Sequence, residues 1–376
     1  MMIKRTILTK VADCFFKGKA VIITGARQVG KTTLLKEIQK NFSENETLFV
    51  NCDEPDLRAM LTDITSTGLK SLLSSKKLIF IDEAQRVKNI GITLKLFVDN
   101  FPERQVVATG SSSLDLSNEI VEPLTGRKYE FHLHPLSFEE LTQKYSTIEI
   151  KRLLEKRIVM GMYPEIEEKS EEAELLLRNL ASSYLYKDVL QFQDIRRPEL
   201  LEKLLIALAL QIGREVSYNE LAGMLGVTKQ TIANYVDLLE KSFVIFRLSP
   251  FSRNLRNELT KFRKIYFYDT GIRNALINNF NPFHIRQDIG QLWENFLISE
   301  RLKRNENHGY FINSFFWRTH QQQEIDYLEE QSGVLHAFEI KWKKSKGRVP
   351  QIFLETYPDS QAEFITQDNF EDFVGI

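Results

Sequence analysis

The stretch that decides the fold is Gly25-Ala-Arg-Gln-Val-Gly-Lys-Thr32. It follows a short apolar run, Lys19 to Thr24, and leads into Lys31 to Phe42, whose apolar residues recur at helical spacing. Between a strand and a helix, the spacing GxxxxGK[ST] is typical of a phosphate-binding loop. The glycines let backbone N–H groups point inward, and the positive end of the helix favours phosphate. We therefore predict an ATP site formed by Gly25, Ala26, Arg27, Gln28, Val29, Gly30, Lys31, Thr32 and Thr33.

A second motif supplies the acids that such a site needs. Leu78-Ile-Phe-Ile-Asp-Glu83 is an apolar run that ends in two carboxylates, where a buried strand would reach the edge of the sheet that binds ligands. Asp82 and Thr32 are predicted to hold Mg²⁺, and Lys31 to neutralise the β- and γ-phosphates. Glu83 is the candidate general base, with an ordinary surface acid as the alternative.

Two further residues are candidates for contact with the γ-phosphate. The apolar run Gln105 to Thr109 is followed by Gly110-Ser-Ser-Ser113, so Ser111 or Ser112 could sense the phosphate if this strand lies between the two motif strands. An ordinary serine-rich loop is the equal alternative. Arg127 is the candidate charge-stabilising arginine, acting in cis or from a neighbouring subunit of a homo-oligomer, and a surface salt bridge is its alternative.

The pattern along the chain predicts an α/β fold with several modules. Apolar runs that alternate with helical spacing indicate an AAA-like parallel sheet of the P-loop NTPase class in residues 1–145. Residues 146–197 are predicted to be a helical connector, broken near Gly161-Met-Tyr-Pro164. Three helices and a trailing strand in 198–252 indicate a winged helix-turn-helix. Residues 253–376 begin with basic loops and continue as an α/β domain.

Taken together, the motifs resemble a prokaryotic family of AAA-superfamily ATPases with a winged helix and a C-terminal domain formerly of unknown function. The resemblance implies nucleotide and magnesium roles for Lys31, Thr32, Asp82 and Glu83, and a restriction-endonuclease-like C-terminal fold. Many members begin the Gly-Pro turn with a second glycine, where this chain has Met162. The residues that carry the resemblance are Gly25 to Thr32, Leu78 to Gln85, Thr109 to Ser112, Leu124 to Arg127, Pro135 to Glu139, Gly161 to Pro164 and Trp293 to Phe296.

The residues of the C-terminal part independently suggest a PD-(D/E)xK nuclease signature. In Phe338-Glu-Ile-Lys-Trp342, Glu339 and Lys341 share one face of a strand, and Asp326 lies on the preceding strand of a hairpin linked by Gln331-Ser-Gly333. Asp326 and Glu339 are predicted metal ligands, and Lys341 would activate water. Glu294, the usual acid on the helix that precedes these strands, is the third predicted metal ligand, and Glu300 is the less favoured choice for that acid. The alternative is a solvated sheet face whose Glu and Lys pair with each other.

Basic residues near this signature suggest a polyanionic partner. The stretch 247–264 contains six cations and Glu258 alone as an acid, and further lysines follow Lys341. Such clusters neutralise backbone phosphates, although a charge run is also common on solvated faces. On the predicted recognition helix, Gln230 and Asn234 face outward and could contact adenine. Only one lysine lies at the start of this helix, which is few for a helix that binds DNA. DNA contact and interdomain packing are therefore equal alternatives.

Composition limits the remaining classes. The chain has 376 residues, a net charge of -1 and two cysteines outside any CxxC spacing. These values exclude a polycation and a disulfide scaffold, and they favour a cytoplasmic protein without a membrane span. His132 and His134 share a strand face but lack further ligands, so a structural role is expected.

The leading hypothesis is a Mg²⁺-dependent ATPase whose nucleotide state repositions a winged helix and a nuclease-like domain on nucleic acid. DNA is favoured over RNA as that nucleic acid. A signalling or scaffolding switch with a catalytically inactive nuclease-like domain is the alternative. A protein-remodelling AAA ring is a third class, which would need Arg127 near a neighbour's nucleotide.

Overall fold

The computed structural model describes residues 3–111, 123–187, 197–251, 263–319, 321–343 and 349–376. The chain forms two compact units. The N-terminal unit contains residues 4–135 and 241–243, and the C-terminal unit contains residue 3, 136–240 and 244–376. Within the described ranges, no helix combines the length and apolar character needed to cross a lipid bilayer.

The N-terminal unit is built on a parallel sheet of five strands. The strand order is β2-β3-β4-β1-β5, so β4 lies between the two strands that carry the phosphate-loop and acidic motifs. The predicted parallel α/β sheet is therefore confirmed. The strands are β1 (Ala20–Thr24), β2 (Thr47–Asn51), β3 (Leu78–Asp82), β4 (Gln105–Gly110) and β5 (Lys128–His132).

Burial explains why these strands lack an alternating pattern. Every residue of β1, β3 and β4 is buried, because these central strands have neighbours on both sides and helices cover the sheet. The helices of this unit are Leu8–Asp13, Lys31–Gln39, Pro55–Leu61, Ser66–Leu73 and Ile90–Asn100.

The C-terminal unit is organised around a seven-stranded sheet, with the order β12-β11-β10-β9-β7-β8-β6. The strands of the predicted winged helix and those of the predicted nuclease-like domain thus lie in one sheet, joined where β7 pairs in parallel with β9. The strands are β6 (Glu215–Val216), β7 (Ile245–Pro250), β8 (Arg263–Phe267), β9 (Asn313–Arg318), β10 (Glu324–Gln331), β11 (Val334–Ile340) and β12 (Gln361–Ile365).

Several helices of this unit begin where a side chain caps the first turn. Ser137 and Glu140 form a capping box. Ser217 and Thr228 each accept a hydrogen bond from the backbone N–H three residues later, at the starts of two helices. The helices are Phe138–Leu141, Thr147–Arg152, Leu154–Met160, Pro164–Glu168, Ala173–Lys187, Pro198–Leu210, Tyr218–Leu225, Lys229–Lys241, Thr270–Leu276, Ile289–His308, Gln351–Thr356 and Phe370–Val374.

Two predictions for the last third of the chain have different outcomes. The hairpin of β10 and β11 is confirmed, and Ser332 and Gly333 both have positive φ, as a two-residue turn of this kind requires. The basic loops expected from about residue 253 end earlier than predicted, because Arg263–Phe267 forms β8 between β7 and β6. The strand was not predicted because basic residues in this segment indicated a loop, although the last four side chains of β8 are buried.

Candidate functional site

The phosphate loop of the N-terminal unit is held by close backbone packing. Gly25 has φ +156°, and a Cβ at this position would lie 2.2 Å from the carbonyl oxygen of Leu133, so only glycine fits. Gly30 has φ +98° and precedes the helix that starts at Lys31. The Lys31 ammonium is buried and donates hydrogen bonds to the carbonyl oxygens of Gly25 and Ala26, at 2.9 and 2.8 Å.

The acid at the end of β3 lies directly against the loop. Asp82 is 3% exposed, and its two carboxylate oxygens accept hydrogen bonds from the hydroxyls of Thr32 at 2.6 Å and Thr109 at 2.5 Å. The sequence analysis did not single out Thr109 as a site residue. Its position at the end of the strand beside β3 is the signal that could have identified it.

Glu83 and Ser111 are brought together by a residue that the sequence analysis had not assigned a role. The side-chain amide of Gln85 donates to the carboxylate of Glu83 at 2.5 Å and to the hydroxyl of Ser111 at 3.1 Å. The backbone N–H of Glu83 also donates to the Thr109 hydroxyl, at 3.2 Å. Glu83 has φ +53°, a left-handed conformation that costs about 1–2 kcal/mol for a non-glycine residue. Such strain is concentrated at functional sites. Ser112 lies outside the described residues.

A third residue that was not predicted is Arg5, which holds the loop from its outer side. Its guanidinium donates to the carbonyl oxygen of Val29 at 2.7 Å and to that of His134 at 2.5 Å. These bonds fix the phosphate loop to the segment that follows β5. Nothing in the spacing around Arg5 indicates this role, because its partners are 24 and 129 residues away.

Arg127 is placed away from the phosphate loop. It immediately precedes β5, and its carbonyl oxygen accepts from the N–H of Ala20 at the start of β1, so it lies at the N-terminal edge of the parallel sheet. The loop lies at the opposite edge, and five residues of strand at about 3.3 Å each separate the two. The guanidinium is paired with Asp99 at 2.7 Å. The cis form of the arginine prediction is therefore wrong.

The C-terminal unit brings the three residues of the predicted nuclease signature together. The Lys341 ammonium lies 2.7 Å from a carboxylate oxygen of Glu339 and 3.3 Å from Oδ2 of Asp326. The same Asp326 oxygen accepts from the backbone N–H of Ile340 at 2.9 Å. The other carboxylate oxygen of Glu339 is buried and has no hydrogen-bond partner.

A lysine that the sequence analysis assigned to a phosphate-binding surface is buried beside this cluster. Lys264 on β8 is 1% exposed. Its ammonium lies 3.1 Å from Oε1 of Glu294, contacts Glu324, and lies 3.9 Å from Oδ1 of Asp326. The hydroxyl of Tyr266, two residues along the strand, also donates to Glu294, at 2.6 Å. The assignment of Lys264 to a polyanion-binding surface is therefore wrong.

The electrostatics of this cluster follow from burial and mutual charge. Burial raises the pKa of Glu294 to about 7, although Lys264 opposes that rise. Burial alone would lower the pKa of Lys264, but Glu294, Tyr266, Asp326 and Glu324 reverse the effect and hold it well above its ordinary value. Lys264 is therefore a charged ammonium inside the protein.

These contacts do not fit the predicted set of metal ligands. Among the residues that the structure describes, no three His, Cys, Asp or Glu side chains are arranged to hold a metal ion. Glu294, Asp326 and Glu339 instead face lysine ammonium groups. The prediction that these three acids form a metal-ligand set is therefore wrong, because Lys264 and Lys341 neutralise them.

Two other predicted residues, Glu300 and Arg247, form ion pairs within the protein. Glu300 is buried against Lys303 at 2.6 Å and accepts from the backbone N–H of Phe138, at a place separate from the acidic cluster. Arg247 is paired with Asp237 and Glu240 rather than presented to solvent. The basic residues Arg253, Arg256, Lys261, Lys344, Lys346 and Arg348 lie outside the described residues.

Comparisons with known families agree with the geometry of the N-terminal unit. Residues 17–142 match a family model described as "AAA domain". Together with the five-stranded parallel sheet and the phosphate loop, this match identifies an AAA-like P-loop ATPase domain, a fold that supports ATP binding. Residues 151–282 and 289–370 match models described as "Domain of unknown function (DUF8612)" and "Domain of unknown function (DUF4143)".

Similar proteins occur in bacteria and archaea. An uncharacterized protein of Mycobacterium tuberculosis is 28% identical over 90% of this chain and 74% of its own length. One from Methanocaldococcus jannaschii is 26% identical over 95% of this chain and 86% of its own length. Among solved structures, a Walker-type ATPase of Pyrococcus abyssi has 16% identity and a TM-score of 0.47, covering 72% of this chain and 93% of its own. Pif1 helicase of Candida albicans has 14% identity and a TM-score of 0.28, covering 41% and 44%.

Proposed function

We propose that this protein is a Mg²⁺-dependent ATPase that hydrolyses ATP in its N-terminal unit and uses the nucleotide state to control a C-terminal unit that binds nucleic acid. One observation carries the enzymatic part of the proposal. The Thr32 hydroxyl lies 2.6 Å from a carboxylate oxygen of Asp82, beside the buried ammonium of Lys31. A phosphate loop and a strand-end acid in this arrangement are the parts that P-loop ATPases require.

The donor atoms at this place fit magnesium. Mg²⁺ prefers oxygen ligands and keeps several waters, so it usually takes only one or two protein groups together with substrate phosphates. The hydroxyl of Thr32 and the carboxylate of Asp82 supply such a pair. A magnesium ion held by these two residues would neutralise charge on the phosphates.

The remaining residues have distinct proposed roles. Lys31 would exchange its hydrogen bonds to loop carbonyls for bonds to the β- and γ-phosphates. Glu83 would orient water and accept its proton, and the bond from Gln85 fixes the direction of its carboxylate. Since Gln85 also reaches Ser111, a change at the γ-phosphate would alter the position of the base.

The nucleic-acid part of the proposal is supported by residues 198–267. Here the elements follow the order helix, strand, helix, helix, strand, strand, and the three strands are antiparallel neighbours. This order suits a winged helix. On the third helix, Ile232 and Val236 are buried whereas Gln230 and Asn234 are exposed and hydrogen-bonded to each other at 2.8 Å. A pair of amides on an exposed face can exchange that bond for bonds to base edges.

The second candidate function is an ATP-operated signalling or scaffolding switch with an inactive nuclease-like module. The buried Lys264 among the acids favours an inactive module. A DNA-binding ATPase can carry such a module too, so the partner decides between the two candidates.

One set of assays tests the enzymatic proposal. ATP turnover of the full chain is measured with Mg²⁺, and Glu83→Gln should lower it by about 10²–10⁴-fold while ATP affinity is retained, because only the base is lost. Glu103→Gln is the matched control, since Glu103 is an exposed acid just before β4, at the other edge of the same sheet. Turnover of Glu83→Gln equal to that of the control would contradict the assigned base.

The partner is tested with the same preparation. Duplex DNA, single-stranded DNA and RNA are each added to the ATPase assay, and affinity is measured by fluorescence anisotropy. We expect DNA to stimulate turnover, and the double variant Gln230→Ala and Asn234→Ala to bind DNA about tenfold more weakly, since a bidentate base contact contributes about 1–3 kcal/mol. Gln351→Ala, on another exposed helix, is the control. If no nucleic acid binds or stimulates, the switch with a protein partner is favoured.

A further inference from the structure

We infer that the acidic cluster of the C-terminal unit holds the ammonium of Lys264 in the place where a nuclease of this kind would hold a divalent metal ion, so that the module recognises its partner without cleaving it. The inference concerns the C-terminal unit and is independent of ATP hydrolysis. It rests on the positions of Lys264 and Lys341 relative to the four nearby carboxylates.

The first step is the location of the Lys264 ammonium. It contacts acids from two elements, Glu294 on the helix Ile289–His308 and both Glu324 and Asp326 on β10. Glu294 and Asp326 are two of the three acids that the signature assigns to a metal. A cation that lies 3.1 Å from one of these carboxylates and 3.9 Å from the other occupies the space between them, where the metal would have to bind.

The second step is that the other side of Asp326 is filled as well. Lys341 lies against Oδ2 of Asp326 and against Glu339, while Lys264 lies on the Oδ1 side. Both oxygens of the central acid therefore face a lysine. A Mg²⁺ ion binds at about 2.0–2.1 Å from its oxygen ligands, so it could not enter without the displacement of an ammonium group.

The third step is that Lys264 is built into the fold and cannot easily leave. It lies on β8, which pairs with β7 on one side and β6 on the other, and its side chain is 2% exposed. The ammonium also lies 5.7 Å from the centre of the Phe316 ring, a cation–π contact. A surface lysine could swing away into water, but this one would have to cross the packed interior with its charge.

The Lys264 ammonium does not supply the chemistry that a metal ion would supply at this place. Hydrolysis of a phosphodiester by this signature needs a metal ion that stabilises the charge developing on the phosphate and lowers the pKa of the attacking water. An internal ammonium balances the acids but has no open coordination position for water or phosphate. The fold can then serve as a surface for partner recognition, with its former metal position used for stability.

The first test uses the unaltered protein. Binding of Mn²⁺ to the nucleotide-free full chain is counted by electron paramagnetic resonance, and nicking of a supercoiled plasmid is followed with Mn²⁺ and with Mg²⁺. We expect wild type and Asp326→Asn to bind the same number of Mn²⁺ ions and neither to nick DNA. Metal binding or nicking that disappears in Asp326→Asn would overturn the inference, whatever the ATPase assays give.

The second test removes the internal cation. Lys264→Met keeps an unbranched apolar stem but removes the ammonium, which leaves Glu294, Glu324 and Asp326 without that cation. The variant should therefore gain one Mn²⁺ site that Asp326→Asn abolishes. Lys343→Met, which removes an exposed lysine beyond β11, is the control and should gain none. A folded Lys264→Met protein without the additional Mn²⁺ site would contradict the inference. If the variant unfolds in metal-free buffer, the wild-type comparison alone decides.

Discussion

Replacement of Gly25 by alanine tests whether the phosphate loop is held by backbone packing. The new Cβ would lie 2.2 Å from the carbonyl oxygen of Leu133, and the N–H of Leu133 is bonded to the carbonyl of Thr24 at 2.7 Å, so neither chain can yield freely. Relief of the clash requires a shift of about 1 Å, and overpacking of this kind costs about 1–3 kcal/mol. A 1 Å misplacement in a positioned site is worth about 100-fold.

The assay is equilibrium binding of a fluorescent ATP analogue, with thermal unfolding measured in parallel. Gly25→Ala should weaken binding by about 10- to 100-fold. Gly18→Ala is the matched control, because Gly18 has φ +68° but its nearest neighbour, the Pro102 carbonyl oxygen, is 4.0 Å from the added Cβ. It should lose about 1 kcal/mol of stability from backbone strain and keep its ATP affinity. Unchanged binding in Gly25→Ala, or an equal loss in both variants, would refute the reasoning.

Three further predictions concern other parts of the molecule. Burial, reinforced by Asp82, raises the pKa of Cys52 to about 12, so iodoacetamide at pH 8 should label the partly exposed Cys14 in the native protein and Cys52 only after unfolding, as peptide mass spectrometry would show. Burial alone would raise the pKa of Asp288, but the hydrogen bonds and charges of Arg286 and Arg273 together outweigh it and keep that pKa below its usual range. Asp288→Asn should therefore cost about 3 kcal/mol in urea unfolding at pH 7. That difference should be complete above the unfolded pKa of about 4 and vanish as the pH falls through the lower folded value. Arg127→Ala should leave ATP turnover of the isolated monomer unchanged, whereas a loss confined to an assembled oligomer would support a role in trans.

The parallel sheet of the N-terminal unit could be predicted because short, continuous stretches of sequence determine its central strands and the motifs that follow them. Three of the five strands are buried runs that end at motif residues. Because the carboxyl ends of parallel strands meet at one edge, Thr32 and Asp82 were expected to be neighbours. The structure places their side chains 2.6 Å apart. Gln85 and Arg5 were missed because their partners are chosen by tertiary packing, and no spacing rule indicates which amide or guanidinium will reach a loop.

The C-terminal hairpin was predictable for the same local reason, and its neighbours were not. Alternation and a turn containing glycine determine the pairing of β10 with β11, which brings Asp326 beside Glu339 and Lys341. The pairing of β7 with β9 joins segments more than 60 residues apart and leaves no local pattern. β8 escaped prediction because a run of charged residues indicates a solvated loop.

The ion pairs of the C-terminal unit change how the basic stretch 247–264 is interpreted in a chain whose net charge is -1. A sum of charges over a basic stretch assumes that each cation faces water. On that assumption, the stretch 247–264 would attract phosphates. Arg247 and Lys264 instead neutralise acids of the protein itself. Two of the three carboxylates around Lys264, those of Glu294 and Asp326, are buried and need its charge. Local charge density therefore measures affinity for a polyanion only after the internally paired residues are removed. Among the described residues, the nucleic-acid proposal consequently depends on the exposed amides of Gln230 and Asn234 more than on Arg247 and Lys264.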